Sequence, residues 1–99
     1  MIWELRQTPI FQTWLSDLPD ERAKTKIAQR LVRLQADLFG DVKPVGDGVS
    51  ELRVDTGPGY RVYFIRRGRT LIVLLCGGDK DSQHRDVKLA KALAESWRD

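Results

Sequence analysis

The 99-residue sequence predicts an α+β fold in the order β-α-α-β-β-β-α, with a helical hairpin and a C-terminal helix packed on a small, mainly antiparallel twisted sheet. Three changes of apolar period predict it. Apolar residues recur at helical spacing from Phe11 to Leu38, alternate with a period of two from Val49 to Ile65, and return to helical spacing after Asp81. Hydrophobic residues make up 41% of the chain and charged residues 31%, which excludes long disorder, a fibrous repeat and a membrane protein. A chain of this size is expected to form a single domain over residues 1–99 around one shared core, with no volume for a deep multi-substrate cleft.

Ile2 to Arg6 alternates weakly and reads as a short strand. Thr8-Pro9 then supplies a helix N-cap and a proline at the first helical position, where its missing N–H costs nothing. Phe11, Trp14, Leu15 and Leu18 carry a first helix to about Asp17. Pro19-Asp20-Glu21 repeats the start signal with acids at the positive end of the helix dipole, and Ile27, Leu31, Leu34 and Leu38 extend a second helix towards Gly40. That leucine stripe is read as core packing. Residues 40–48, with three glycines and a proline, read as a loop.

From Val49 to Val54, Leu52 and Val54 fall on one face and Glu51 and Arg53 on the other. From Tyr60 to Ile65, Val62 and Phe64 oppose Arg61, Tyr63 and Ile65. Leu71 to Cys76 is a continuous apolar run, expected as an interior strand and ended by Gly77-Gly78. Val87, Ala90, Leu93 or Ala94, and Trp97 mark the last helix, starting near Asp81.

The formal net charge is +3, but it is unevenly spread. Residues 20–33 and residues 51–69 each hold five basic against two acidic side chains, so each segment has a surplus of three positive charges. Two basic segments fit a polyanion or an acidic partner, or else a solvated surface. The single Cys76 excludes an internal disulfide, and the longest apolar run is far short of the roughly 20 residues a membrane helix needs. With no secretory leader visible at the start, a cytoplasmic location is expected.

If Leu52, Val54, Val62 and Phe64 face the helices, then Arg53, Arg61 and Tyr63 share the opposite face by period-two geometry. Two arginines and a tyrosine on an open sheet face suit phosphate binding and base stacking. Equally, the same residues make a solvated face on which Arg61 pairs with Glu51 and Tyr63 covers its neighbours. The segment Gly77 to His84 leaves a strand and enters a helix, a place where backbone N–H groups can meet an anion, unless Asp79 and Asp81 cap them instead. Lys80 and His84, four apart, are expected on one face of the first turn. His84 is the only histidine, and an imidazole can move protons near neutrality, although a lone surface histidine is more often incidental. One Cys and one His leave no zinc spacing; there is no nucleophile-elbow serine, no Walker loop, no dinucleotide fingerprint and no clustered carboxylates. An enzyme built from this sequence is expected to work without metal or cofactor.

The stretch GDVKPVGDGVSELRVDTGPGYRVYF, followed by LLCGGDKDSQHRDVKLAKALA, resembles the RelE/ParE toxin superfamily, and within it the small HigB-like group called addiction module killer proteins. Its most specific parts are Glu51-Leu52-Arg53, Gly59-Tyr60-Arg61-Val62-Tyr63, and Gly77-Gly78-Asp79-Lys80 with Gln83 and Asp86. The resemblance implies a toxin of a type II toxin–antitoxin pair, neutralised by an antitoxin protein that in this group is often a helix-turn-helix repressor. RelE-like and HigB-like members cleave mRNA on the ribosome; ParE-like members share the fold and inhibit DNA gyrase without a nuclease site. The nuclease branch implies catalytic roles for Arg61, Lys80, His84 and Tyr63, and substrate contacts from Arg53 and Gln83. The sequence departs from the best-known ribosomal nucleases in two ways. It lacks their basic pair ahead of the Arg61 strand, and it has no tyrosine in the last helix.

Overall fold

The computed structural model describes residues 2–98. Five strands and three helices succeed one another in the order β1 (Glu4–Gln7), α1 (Pro9–Asp17), α2 (Glu21–Gln35), β2 (Val42–Gly46), β3 (Val49–Val54), β4 (Tyr60–Arg67), β5 (Leu71–Gly78) and α3 (Gln83–Ser96). The sheet order is β1-β5-β4-β3-β2. β2 to β5 form an antiparallel meander, and β1 joins its far side parallel to β5. The parallel pairing is possible because the helical hairpin carries the chain from one edge of the sheet to the other.

The caps act as the sequence implies. Thr8 accepts from Phe11 N at 3.0 Å, and its hydroxyl donates to Leu75 O at 2.5 Å, tying α1 to the sheet. Asp20 accepts from Arg22 N and Ala23 N at the start of α2. Helix α2 stops at Gln35, short of the expected Gly40, because Asp37 takes a left-handed conformation with φ 70°. Asp tolerates that region through its short polar side chain, here fixed by Trp3 Nε1 donating to Oδ1 at 2.9 Å. Leu38 leaves the stripe and is exposed.

Residues 42–46 are a strand, not part of a loop. Pro44 is compatible with it because β2 lies at the sheet edge, where a missing N–H breaks no inner ladder. The signal was Asp47-Gly48: both have positive φ, 56° and 79°, as a two-residue hairpin turn between β2 and β3 requires.

The sheet is covered on both faces. On one, Leu52, Val54, Val62, Phe64, Ile72 and Leu74 pack with Phe11, Ala23, Ile27 and Leu34 of α1 and α2. On the other, Val49, Tyr63, Ile65, Val73, Leu75 and Cys76 pack with Ala90 and Ala94 of α3, and Trp97 closes the end. The face expected to be open is thus a second core. Leu75 and Cys76 are consecutive yet share this face, because the β4–β5 register shifts between Tyr63 and Phe64 and places a bulge there.

Gly77 and Gly78 end β5 for packing reasons. A Cβ on Gly77 would collide with the Trp14 ring, and one on Gly78 would overlap Asp86 Oδ2 and stand 2.7 Å from Ser82 Oγ. The two faces of this glycine pair admit α1 and α3 to the same strand end. Gly78→Ala is therefore expected to destabilise the fold by about 2–3 kcal/mol, since overpacking here pushes the buried Asp86 carboxylate away from its Ser82 hydroxyl partner. Thermal unfolding would read this as a loss of roughly 10 °C or more.

Candidate phosphate-binding site

Period two places Arg53 and Arg61 on the α3 face of the sheet, and the β3–β4 register sets them directly opposite each other. Like charges in that position repel. The sequence resolves the conflict two residues upstream. Glu51, on the same face, is fully buried, and its Oε1 lies 3.1 Å from Arg53 Nε and 3.5 Å from Arg61 Nε. Its Oε2 accepts from Gln83 Nε2 at 2.8 Å and from the Tyr63 hydroxyl at 3.3 Å. One carboxylate from β3 thereby gathers an arginine from its own strand, an arginine and a tyrosine from β4, and the first residue of α3.

Burial works against the charge on Glu51, yet its carboxyl is held below the ordinary value of 4.5 by the Arg53 hydrogen bond, then by Gln83, the Arg61 charge and Tyr63. The Tyr63 phenol is pushed well above its ordinary value by burial and by the neighbouring Glu51 charge. It therefore stays protonated and donates to the carboxylate. Cys76 is pushed up to about 12 by burial and the nearby Asp86 charge, so its thiol is a packing group and not a nucleophile.

The two guanidiniums differ in freedom. The Arg61 side chain is only 12% exposed; its Nη1 donates to Gly59 O at 2.9 Å, while its Nε meets Glu51 at ion-pair distance without forming a hydrogen bond. Arg53 is 39% exposed and held through Nε alone, so its outer nitrogens face the surface. Both line a shallow groove of about 190 Å³ with Asp41, Val54, Asp55, Gly59 and Tyr60. That volume is below the roughly 300–1,000 Å³ of small-molecule pockets, and fits a group the size of a phosphate met at a surface. Lys80 lies outside this lining but its Cβ is close to the Gly59 wall: a Cβ on Gly59 would lie 3.5 Å from Arg61 Nη1 and 3.7 Å from Lys80 Cβ.

Of the residues singled out from sequence, the structure brings Arg53, Arg61, Tyr63 and Gln83 together around Glu51, with Lys80 at the rim. Two expectations change. Tyr63 is fully buried beneath α3, so it cannot stack on a base or meet a substrate. Gln83 donates one amide hydrogen to Glu51 and also lines the groove on which His84 opens. Lys80 precedes α3, in a turn where Asp79 Oδ1 accepts from Asp81 N and Ser82 N, so Lys80 and His84 do not share a helical face and the local N–H groups are already capped. His84 is exposed and opens on a separate groove of about 390 Å³ with Gln83, Val87, Lys88 and Lys91. No hydrogen bond of the Glu51 cluster reaches it.

The sequence places Glu51 in the Glu51-Leu52-Arg53 motif and as a pairing partner of Arg61, but not at the centre of the site. Its signal was a lone acid alternating with apolar residues on a strand whose neighbour carries an arginine on the same face. Among the described residues no group of three or more His, Cys, Asp or Glu side chains stands close enough to hold a metal ion. No helix among them is long and apolar enough to cross a membrane.

Glu51→Gln keeps the shape, removes the charge and leaves two opposed arginines uncompensated, with an expected loss of about 2–4 kcal/mol. The sign of the pH dependence is set by the direction of the shift. A carboxyl lowered in the folded chain adds stability above its ordinary value of 4.5, and that stability is lost as the pH falls through the lowered value. Chemical denaturation from pH 7 to pH 3 should show this loss in the wild-type chain, with the Glu51 part of it missing in Glu51→Gln.

Comparison with known proteins places this geometry. Residues 13–96 match the family described as phage derived protein Gp49-like. An uncharacterised protein of Haemophilus influenzae is 50% identical over 95 residues, which is 96% of each chain. Among solved structures, a variant of the E. coli toxin RelE in the free state superposes with a TM-score of 0.75 over 98% of this chain and all of that one, at 13% identity. The RelBE2 toxin–antitoxin complex of Mycobacterium tuberculosis superposes with a TM-score of 0.65 over 81% of this chain and 100% of that one, at 20% identity.

Proposed function

The chain belongs to the Gp49-like family and has the fold of RelE toxins, and on that premise we propose that it is the toxin of a toxin–antitoxin pair that cuts mRNA on the ribosome. The observation that carries this is the pair of opposed arginines held over one buried carboxylate, with Lys80 beside them. Asp41 and Asp55 share the lining of this phosphate-sized groove with Arg53 and Arg61, so a phosphate would be held by directed guanidinium hydrogen bonds and not by an excess of charge.

In this reading the RNA 2′ hydroxyl attacks the adjacent phosphorus, the bond to the 5′ oxygen breaks, and a 2′,3′-cyclic phosphate and a 5′ hydroxyl result. Arg61 and the outer nitrogens of Arg53 hold the phosphate, and Lys80 meets the charge that grows on its oxygens in the transition state. His84, the exposed imidazole of the α3 first turn, accepts the proton of the attacking 2′ hydroxyl when the RNA lies across Gln83, and water supplies the proton to the leaving 5′ oxygen. Tyr63 and Gln83 act as positioning residues: their hydrogen bonds orient Glu51, and Glu51 orients the arginines. The antitoxin, by the precedent of the RelBE2 complex, is a second protein that covers this basic surface.

Mapping RNA 5′ ends shortly after induction tests the reading. Discrete cuts in translated messages, lost in Arg61→Lys, are expected. Lysine keeps the charge but not the planar fork, so cleavage should fall roughly 10²-fold while the fold is retained. Arg61→Ala is the poorer probe, because the side chain is mostly buried against Glu51 and its removal disturbs stability as well. Intact messages with a gyrase-dependent DNA-damage response would instead assign the chain to the gyrase-inhibiting branch. For His84→Gln, the expected result is a partial loss of rate in single-turnover cleavage, with ribosome binding unchanged.

A further inference from the structure

The basic segment 20–33 takes no part in the arginine groove. It forms α2, and its cations are sorted by the helix. Arg22, Lys26 and Arg33 are all exposed and, at about 100° per residue, fall within one narrow arc of the helix. Together they make a straight row roughly 16 Å long at 1.5 Å per residue. The opposing acids are engaged elsewhere: Asp20 accepts from the first amides of α2, and Glu21 pairs with Lys24 at 3.6 Å on a different side. Arg30 flanks the row and ties it to the site, its Nη1 donating to Arg53 O at 2.9 Å and its Nη2 to Phe39 O at 3.3 Å. The groove beside the row, about 530 Å³, is bordered by Asp20, Arg22, Thr25, Lys26, Gln29 and Thr56. Thr56 is the chain neighbour of Asp55 in the arginine groove, so the two surfaces adjoin.

From this arrangement we propose that the outer face of α2 is a second RNA-binding surface, which grips the phosphate backbone of a double-helical RNA while the arginine groove engages the strand to be cut. The choice of a duplex comes from what the face lacks. Sequence-tolerant binding of single strands uses aromatic platforms on which bases stack, and α2 from Glu21 to Gln35 contains no Phe, Tyr or Trp. A straight row of cations suits a rigid line of phosphates, the part of a duplex accessible without unstacking. The proposal rests on the RNA-cutting reading for the choice of RNA over DNA, with the ribosome as the source of the duplex.

The test is direct binding by the full chain to a mixed-sequence RNA duplex of about 16 base pairs, a single strand of the same length and the matching DNA duplex, each over a range of salt. Arg22→Gln/Lys26→Gln/Arg33→Gln is expected to lower duplex RNA affinity about tenfold or more, and to reduce the salt slope by about 2 to 3, one for each phosphate no longer neutralised. Arg22→Lys/Arg33→Lys keeps the charge and should retain both affinity and slope, which separates a phosphate row from a folding defect. Unchanged affinity and slope in the neutral triple variant overturn the proposal. So does tighter binding of the single strand or the DNA duplex than of the RNA duplex. Cleavage of ribosome-bound message is assayed separately. Duplex binding through α2 with no cleavage would sink the nuclease reading while leaving this surface in place, and cleavage with no α2-dependent binding would do the reverse.

Discussion

Burying Glu51 on the α3 side of the sheet constrains much of the remaining structure. A carboxylate in that position must be paired or neutralised, and in this chain it is paired several times over, by two guanidiniums, a phenol and an amide. The arrangement reaches across three elements. It fixes the register of β3 against β4 by charge as well as by backbone bonds, and it docks the first residue of α3 onto the sheet. It also holds two arginines at neighbouring cross-strand positions that would otherwise repel. Buried ion pairs add little net stability in general, but they strongly penalise the wrong arrangement. Here the wrong arrangement would be α3 lifted from the sheet or β3 slipped by one residue.

This buried cluster also explains the division between binding and support. Tyr63, facing inward to Glu51, has its hydroxyl committed and is shielded by α3, while Gln83, at the start of α3, donates to Glu51 from a partly exposed position. Arg53 is engaged through Nε alone, whereas Arg61 is engaged through both Nε and Nη1 and is mostly buried, so Arg53 is the freer of the two guanidiniums. Arginine alone among the basic side chains offers this two-sided use, because its donors lie in a rigid plane on different edges. A lysine at either place would keep the charge but lose the planar fork.

Much of the fold was legible in the sequence because its helices and inner strands carry clean periods: the Thr8-Pro9 and Asp20 caps, the Ile27-Leu31-Leu34 stripe, and the alternation through Val62 and Phe64 all lie where the pattern puts them. The misses share a physical cause. β2 is an edge strand of mixed residues and lacks a strong period, so Pro44 and the glycines hid it. The end of α2 turned on one residue, Asp37, whose left-handed backbone leaves little trace in composition. The exposure of the arginine face was misjudged because period two tells which residues share a face but not whether a helix later in the chain covers it. Tyr63 and Gln83 were grouped with the correct neighbours and given an outward role, since burial by α3 is a tertiary fact. His84 illustrates the remaining gap, because its type suits proton transfer while its place lies outside the hydrogen-bonded cluster.

The outer margin of β2 bears on how such a chain behaves when no partner covers it. A strand that ends a sheet offers a line of unmet backbone groups to any other extended chain, including another copy of itself. On this margin Pro44 removes one donor, the register shift between Pro44 and Gly46 breaks the regular spacing, and the exposed Lys43 adds charge. Each of these opposes strand addition, and together they make the margin a poor template for sheet-to-sheet growth. The chain thus carries in its own backbone a feature that opposes edge-to-edge association. That would keep its cationic surface free for a ligand instead of trapped in an aggregate.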